Sequence, residues 1–221
     1  MKFPLTFVQS IVSVASVAAL SALSAAPASA FTFGNVVGGD TVGDAYKDSF
    51  TFDVTGNASS VFFKIANSGN AAASTMFISK VFFDDNGYLS APTANVGNTG
   101  DVAFTGGASN DQLPQGGNGF TTDYAFSRDN GAGNKWGVQG GEALGLSFSG
   151  NYNNVIAALN SGALKLGLHV QALPNGASDT FVSSSANTEN TPEPLTMLAA
   201  GAAVGFGAMF KKQRAQAQKA E

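Results

Sequence analysis

The 221-residue chain offers few groups to chemistry: one histidine, one tryptophan, two arginines, fifteen Asp and Glu, and no cysteine. Without cysteine there is no disulfide scaffold, thiolate nucleophile, iron–sulfur cluster or Cys-based zinc site. One histidine excludes a multi-His metal centre within the chain. His169 stands in the alternating run Leu164-Lys165-Leu166-Gly167-Leu168-His169-Val170-Gln171, on the face opposite the leucines. A Ser-His-Asp triad would need a serine on a sharp nucleophile turn, and no Gly-x-Ser-x-Gly is present; Gly145-Leu146-Ser147-Phe148-Ser149-Gly150 comes nearest and reads as a strand. His169 therefore reads as a surface or internally satisfied histidine. Glycoside hydrolysis needs two carboxylates across one bond, whereas Asp84 and Asp85 are adjacent and on a strand would face opposite ways. Asp84-Asp85-Asn86-Gly87 reads as a hairpin turn, with a fragment of a Ca²⁺ loop as the alternative; Asp129-Asn130-Gly131 with Asn134 is a second such fragment. No cofactor is expected, and calcium on Asp84, Asp85 and Asn86 is the one ion these residues leave open. Trp136, in a Gly/Asn-rich loop, is the candidate for sugar stacking, with Tyr46, Tyr88, Tyr124 and Tyr152 as further rings; packing over a sheet edge is the competing use. Arg128, the single arginine between residues 31 and 193, gives no phosphate or carboxylate clamp, and neither Gly-x-Gly-x-x-Gly nor a P-loop occurs.

The elements that must position these residues follow a period of two. Phe50, Phe52 and Val54 alternate with Thr51 and Asp53; Val61, Phe63 and Ile65 with Phe62 and Lys64; Leu144, Leu146 and Phe148 with Gly145 and Ser147. Residues 76–83 form an aromatic and β-branched run, with Phe77, Val81 and Phe83 expected on one face, and Val102 and Phe104 fall in a short strand. Asn67-Ser68-Gly69-Asn70, Asn98-Thr99-Gly100 and Gly116-Gly117-Asn118-Gly119 supply turns. Short punctuated strands indicate an all-β body, an antiparallel β-sandwich or jelly-roll-like fold. Tyr152, Val155, Ile156 and Leu159 fit one helix, ended by Ser161-Gly162, that would plug one end of the sandwich. Val61-Phe62-Phe63 and Val81-Phe82-Phe83 are expected to pair as neighbouring strands.

The two ends read as addresses. Lys2, an uncharged apolar stretch over 7–23, and the small residues Ala28 and Ala30 match a secretory signal, so residues 1–30 are expected to be removed by signal peptidase. Residues 31–181 form the ectodomain and 182–191 a Ser/Asn-rich linker. Residues 192–221 open with Pro192-Glu193-Pro194, continue as sixteen uncharged residues over 195–210, and close on the basic cluster Lys211, Lys212 and Arg214. Such a stretch approaches the ~20 residues of a membrane-spanning helix, and the cluster would hold the C-terminus cytoplasmic with the body outside.

Pro-Glu-Pro, a short Gly/Ala-rich apolar segment and a basic end, in that order, resemble the PEP-CTERM sorting signal of Gram-negative bacteria, in its cyanobacterial form. The resemblance implies an exosortase as processing enzyme, transient anchoring in the inner membrane, then delivery to the cell surface or extracellular matrix, with exopolysaccharide as an expected associate. Lys80 to Asp85, Gly107-Ala108-Ser109 with Leu113-Pro114, Gly137-Val138 with Gly141 to Gly145, and Leu164 to Gln171 with Gly176 to Phe181 are similar to the ectodomains of other such proteins, which implies no particular chemistry.

The whole chain carries a formal charge of −4. Residues 31–193 hold six Lys and Arg against fourteen Asp and Glu, a net of −8, so nucleic acid is not an expected partner. The expected function is an exported, non-catalytic surface or matrix protein with a structural or binding role. The alternatives are a carbohydrate- or calcium-binding module acting with exopolysaccharide, and a secreted carboxylate-dependent hydrolase.

Overall fold

The computed structural model describes residues 28–36, 41–69, 75–115 and 119–184. Most of residues 1–30, including the apolar stretch of the signal, and all of 192–221 lie outside the described residues. So do Pro192, Glu193, Pro194, Lys211, Lys212 and Arg214. Among the described residues no helix is long and apolar enough to cross a membrane.

Ten strands are present among the described residues: β1 (Ser29–Val36), β2 (Phe50–Gly56), β3 (Ser60–Asn67), β4 (Phe77–Asp84), β5 (Ser90–Ala94), β6 (Phe104–Ala108), β7 (Tyr124–Arg128), β8 (Ala143–Ser149), β9 (Lys165–Gln171) and β10 (Asp179–Ser183). Among the described residues one α-helix, α1 (Tyr152–Ser161), and two 3-10 helices, over Gly43–Ser49 and Pro174–Gly176, accompany them. The strands make one continuous sheet in the order β5-β8-β3-β2-β1-β10-β9-β4-β7-β6, and every named pair is antiparallel. β1 belongs to both halves: Ser29 to Thr32 pair with β2, and Phe33 to Val36 pair with β10, with a bulge between Phe33 and Asn35. The bulge turns the strand, so the sheet rolls over itself and its two halves face each other. The rolled sheet ends on β5 and β6, where the Asn95 side chain joins them. Its Nδ2 donates to the Phe104 carbonyl at 2.8 Å and its Oδ1 accepts the Phe104 N–H at 2.9 Å.

Phenylalanine fills the space between the halves. Phe63 of β3 meets Phe83 of β4 edge-on with centroids 5.2 Å apart, and Phe148 of β8 lies 5.0 Å from Phe83. The Val61-Phe62-Phe63 and Val81-Phe82-Phe83 segments are therefore not paired neighbours. β3 pairs β2 and β8, β4 pairs β7 and β9, and the two segments touch across the core. Helix α1 follows its spacing, burying Tyr152, Val155, Ala158 and Leu159, with Ile156 packed at the margin. Asn151 caps it by accepting the Asn154 N–H, and Gly162, at φ 74°, ends it in the left-handed conformation glycine favours.

The strand β4 departs from simple alternation. The β4–β9 register slips between Ile78 and Lys80, and one inserted residue exchanges the two faces downstream of it. Met76, Ile78, Val81 and Phe83 are core residues. Phe77 leaves the expected Phe77/Val81/Phe83 face and lies against Arg128 instead, 5.2 Å from ring centroid to guanidinium. Phe82 points to the other side and packs with Leu113, Ala125, Val182 and Phe120 in a second small core. Gly167 gives this outer core its space, because a Cβ there would stand 2.8 Å from the Leu113 methyls.

Candidate functional site

The Asp84-Asp85-Asn86-Gly87 turn does not close a hairpin, since β4 and β5 are not partners: it carries the chain from one half of the rolled sheet to the edge of the other. Asn86 and Gly87 take positive φ, 51° and 84°. The Asp84 carboxylate is buried and receives Lys165 Nζ at 2.9 Å. Lys165 also donates to the Gly119 carbonyl, and Asn86 Nδ2 to the Ala163 carbonyl at 2.6 Å. Asp123 Oδ2 accepts the Asp85 and Asn86 N–H groups at 2.7 and 3.2 Å. A cation already sits on Asp84, and Asp123 is engaged with backbone donors, which gives these carboxylates a structural use. Among the described residues no three His, Asp or Glu side chains gather as a metal would require.

Asp85 is different. It is 2% exposed; Oδ2 accepts the Gly87 N–H at 3.1 Å while Oδ1 has no hydrogen-bond partner. Burial pushes its carboxyl above the usual carboxylate range, nearby Asp123 adds to that, and the amides of Leu89, Gly87 and Tyr88 oppose it. The folded protein thus holds this proton more tightly than the unfolded chain. The stability this gives is present below the ordinary carboxyl pKa and is lost as pH rises through the folded value. Asp85→Asn, which can keep the bond to Gly87, is expected to raise the melting temperature by a few degrees at pH 7–8 and by progressively less toward pH 4. Melting curves across pH check this; a pH-independent difference would contradict it.

The aromatic candidates do not form one platform. Tyr152 is buried, its Oη 3.0 Å from Ser29 Oγ. Tyr124 packs edge-on against Phe148 at 5.5 Å and donates its Oη–H to the Leu89 carbonyl. Tyr46 packs on the core margin, and Tyr88 stands exposed in the turn after β4. Trp136 is half-buried at φ 68°, bridged to Val102, with Lys135 Nζ 4.4 Å from its ring centroid and Gly131 against its edge. It closes the β7–β8 loop on the sheet edge, in keeping with the packing alternative.

His169 is neither a free surface histidine nor a satisfied one. It lies on the outer face of β9, between Lys80 of β4 and Thr180 of β10, half-buried, and its Nδ1 is buried without a hydrogen-bond partner. Burial first, and Lys80 second, hold its pKa below the usual imidazole value, so it is neutral near pH 7. A cavity of about 390 Å³ lies over it. Its floor is the cross-strand row Ser127, Lys80 and His169, with Ser79, Arg128 and Gln171 beside it and Pro114 and Asn130 as walls. The bulge before Lys80 creates this arrangement. Thr180 Oγ1 holds the Pro114 wall by donating to its carbonyl at 2.6 Å. Arg128 Nη1 donates to the Gly131 and Lys135 carbonyls, and its remaining N–H groups have no partner among the described residues. Lys80 meets Asp111 only loosely, at 3.8 Å. Arg128 does not stand alone, as the sequence suggests, because Lys80 lines the same cavity. Lys80 and Arg128 are far apart in sequence, and the slipped register between β4 and β9 is not visible in residue spacing.

The chain matches no family model and no curated protein. A structure from work on pH-induced modulation of Streptococcus parasanguinis adhesion by Fap1 fimbriae aligns at a TM-score of 0.34 and 11% identity, over 75% of this chain and 93% of that one. A likeness that loose assigns no relative. Over the described residues the fold is an all-β, antiparallel, rolled ten-stranded sheet with one short α-helix.

Proposed function

We propose that this chain is an exported PEP-CTERM-type protein whose body, a jelly-roll-like sandwich, serves as a non-catalytic structural or binding module of the cell surface or extracellular matrix. The sequence at the tail carries the reading: Pro192-Glu193-Pro194, the uncharged stretch 195–210 and the basic Lys211, Lys212 and Arg214 stand in the order an exosortase substrate needs. In this proposal two prolines disfavour a helix through the motif, and the basic cluster favours a cytoplasmic far end. The engagement of Asp84 by Lys165 and of Asp123 by backbone amides supports a structural rather than a hydrolytic use of the acidic turn. In this proposal signal peptidase acts at Ala28-Ser29-Ala30. Cleavage after Ala30 would trim two residues of β1 and remove the Ser29–Tyr152 contact.

The test is replacement of Pro192, Glu193 and Pro194 by alanine in the native host. The variant is expected to accumulate in the inner-membrane fraction with its 195–210 segment intact, while the parent chain reaches the surface. Equal surface delivery of both would contradict the proposal.

A further inference from the structure

The cavity on the outer face of β4, β7 and β9 stands apart from the rest of the surface in charge. Residues 31–193 carry a net of −8 with six Lys and Arg, yet two of those six and the chain's one histidine line this single opening. Lys165 is occupied by Asp84, and Lys135 lies over Trp136. Lys80 meets Asp111 loosely at 3.8 Å and lies 6.0 Å from the Phe82 ring centroid, which leaves its donors open; Arg128 lies against the Phe77 ring, and part of its fork has no hydrogen-bond partner among the described residues. Ser127, Asn130 and Gln171 add hydroxyl and amide groups, and the volume of about 390 Å³ falls in the range of small-ligand sites, roughly 300–1,000 Å³. A bare inorganic anion would use the two cations and leave most of that space and the amides unmatched.

We propose that this cavity binds a carboxylated sugar, a hexuronate unit of an acidic glycan. The carboxylate is held by Lys80 and the open edge of the Arg128 guanidinium, a planar donor suited to it, and the ring hydroxyls meet Ser127, Asn130 and Gln171. This deepens the reading of the body as a surface binding module and rests on it. Its failure leaves the sorting of the tail untouched, and failure of sorting leaves the cavity untouched. The groups facing His169 are Lys80 from β4, Arg128 from β7 and, at the rim, Asp111, with uncharged Thr180 on β10. A bound carboxylate favours the imidazolium, so binding takes up a proton and tightens as pH falls from 8 to 5.5.

Because the chain has one histidine, its imidazole resonance reports on the cavity without assignment ambiguity. Full-length protein is titrated with oligogalacturonate, with a neutral oligosaccharide of the same length and with sodium sulfate, by NMR of that resonance and by calorimetry. The expected result is a saturable shift and heat with oligogalacturonate, neither with the neutral sugar, and sulfate binding that is at least tenfold weaker. Lys80→Gln, at a half-exposed position, is expected to weaken binding roughly tenfold or more at an unchanged melting temperature, and Lys47→Gln to leave it unchanged. Arg128→Gln, which also loosens the Gly131 and Lys135 carbonyls, is read only alongside an unchanged melting temperature. No shift with oligogalacturonate, an equal response to the neutral sugar, sulfate binding as tight as that of the oligomer, or indifference to Lys80→Gln would each overturn the proposal.

Discussion

Phe148→Ala is expected to lower the stability of the fold by about 3–5 kcal/mol, the usual cost of emptying a buried aromatic site. Phe148 is 2% exposed on the inner face of β8. Its ring lies 5.7 Å from Phe63, 5.0 Å from Phe83, 5.5 Å from Tyr124 and 6.1 Å from Phe126, on β3, β4 and β7. It therefore joins both halves of the rolled sheet. Small domains hold about 5–15 kcal/mol in total, and with no cysteine in the chain no cross-link can replace the lost contacts. Urea denaturation should show a lower midpoint at an unchanged slope. Phe148→Leu, which keeps most of the volume, should lose less. A loss below about 1 kcal/mol for the alanine variant, far under the range for such sites, would show that the halves do not depend on this ring.

Asn67→Ala is expected to be the next most damaging change, at about 2–4 kcal/mol, because each buried polar group left unpaired costs about 1–3 kcal/mol. Asn67 is 1% exposed at the end of β3. Its Nδ2 donates to the Met76 and Val138 carbonyls at 3.4 and 3.3 Å, and its Oδ1 accepts the Gly69 N–H at 3.2 Å. One amide thus fastens β3 to the start of β4 and to the segment bridging Ile78. Asn67→Asp separates this role from simple space filling. A near-isosteric carboxylate would turn the two bonds that Nδ2 donates into repulsion between oxygens, so it should cost at least as much as alanine at neutral pH. Thermal melts of the three proteins check both statements, and a well-tolerated aspartate would refute the hydrogen-bonding role.

Asn67 also shows where residue patterns stop being informative. In sequence it begins a run of Asn, Ser and Gly that reads as a solvated turn, and only the fold reveals it as a buried clip. The strands over 50–56, 60–67, 143–149 and 165–171, and α1, were legible because apolar residues alternate or recur without interruption. β5 and β7 lacked that signal. Ser90–Ala94 is an edge strand of small and polar residues, and Tyr124–Arg128 is five residues long between polar stretches. β1 overlaps the expected signal-cleavage site, where small residues read as an address rather than as a strand. The face of Phe77 and the cavity around His169 depend on one slipped position in β4. Periodicity carries no register, so Lys80, Arg128 and His169 could not be brought together from spacing alone.

The central claim, that the tail directs an exosortase to release a folded β body to the surface, is tested most directly by intact-mass measurement of the chain recovered from the native host. Cells with and without the exosortase are compared. The account predicts a surface protein whose mass ends near Pro192-Glu193-Pro194 in the parent strain, and a membrane-held chain retaining residues 195–221 in the deletion strain. A surface protein that keeps residues 195–221 in the parent, or identical masses in both strains, would contradict it.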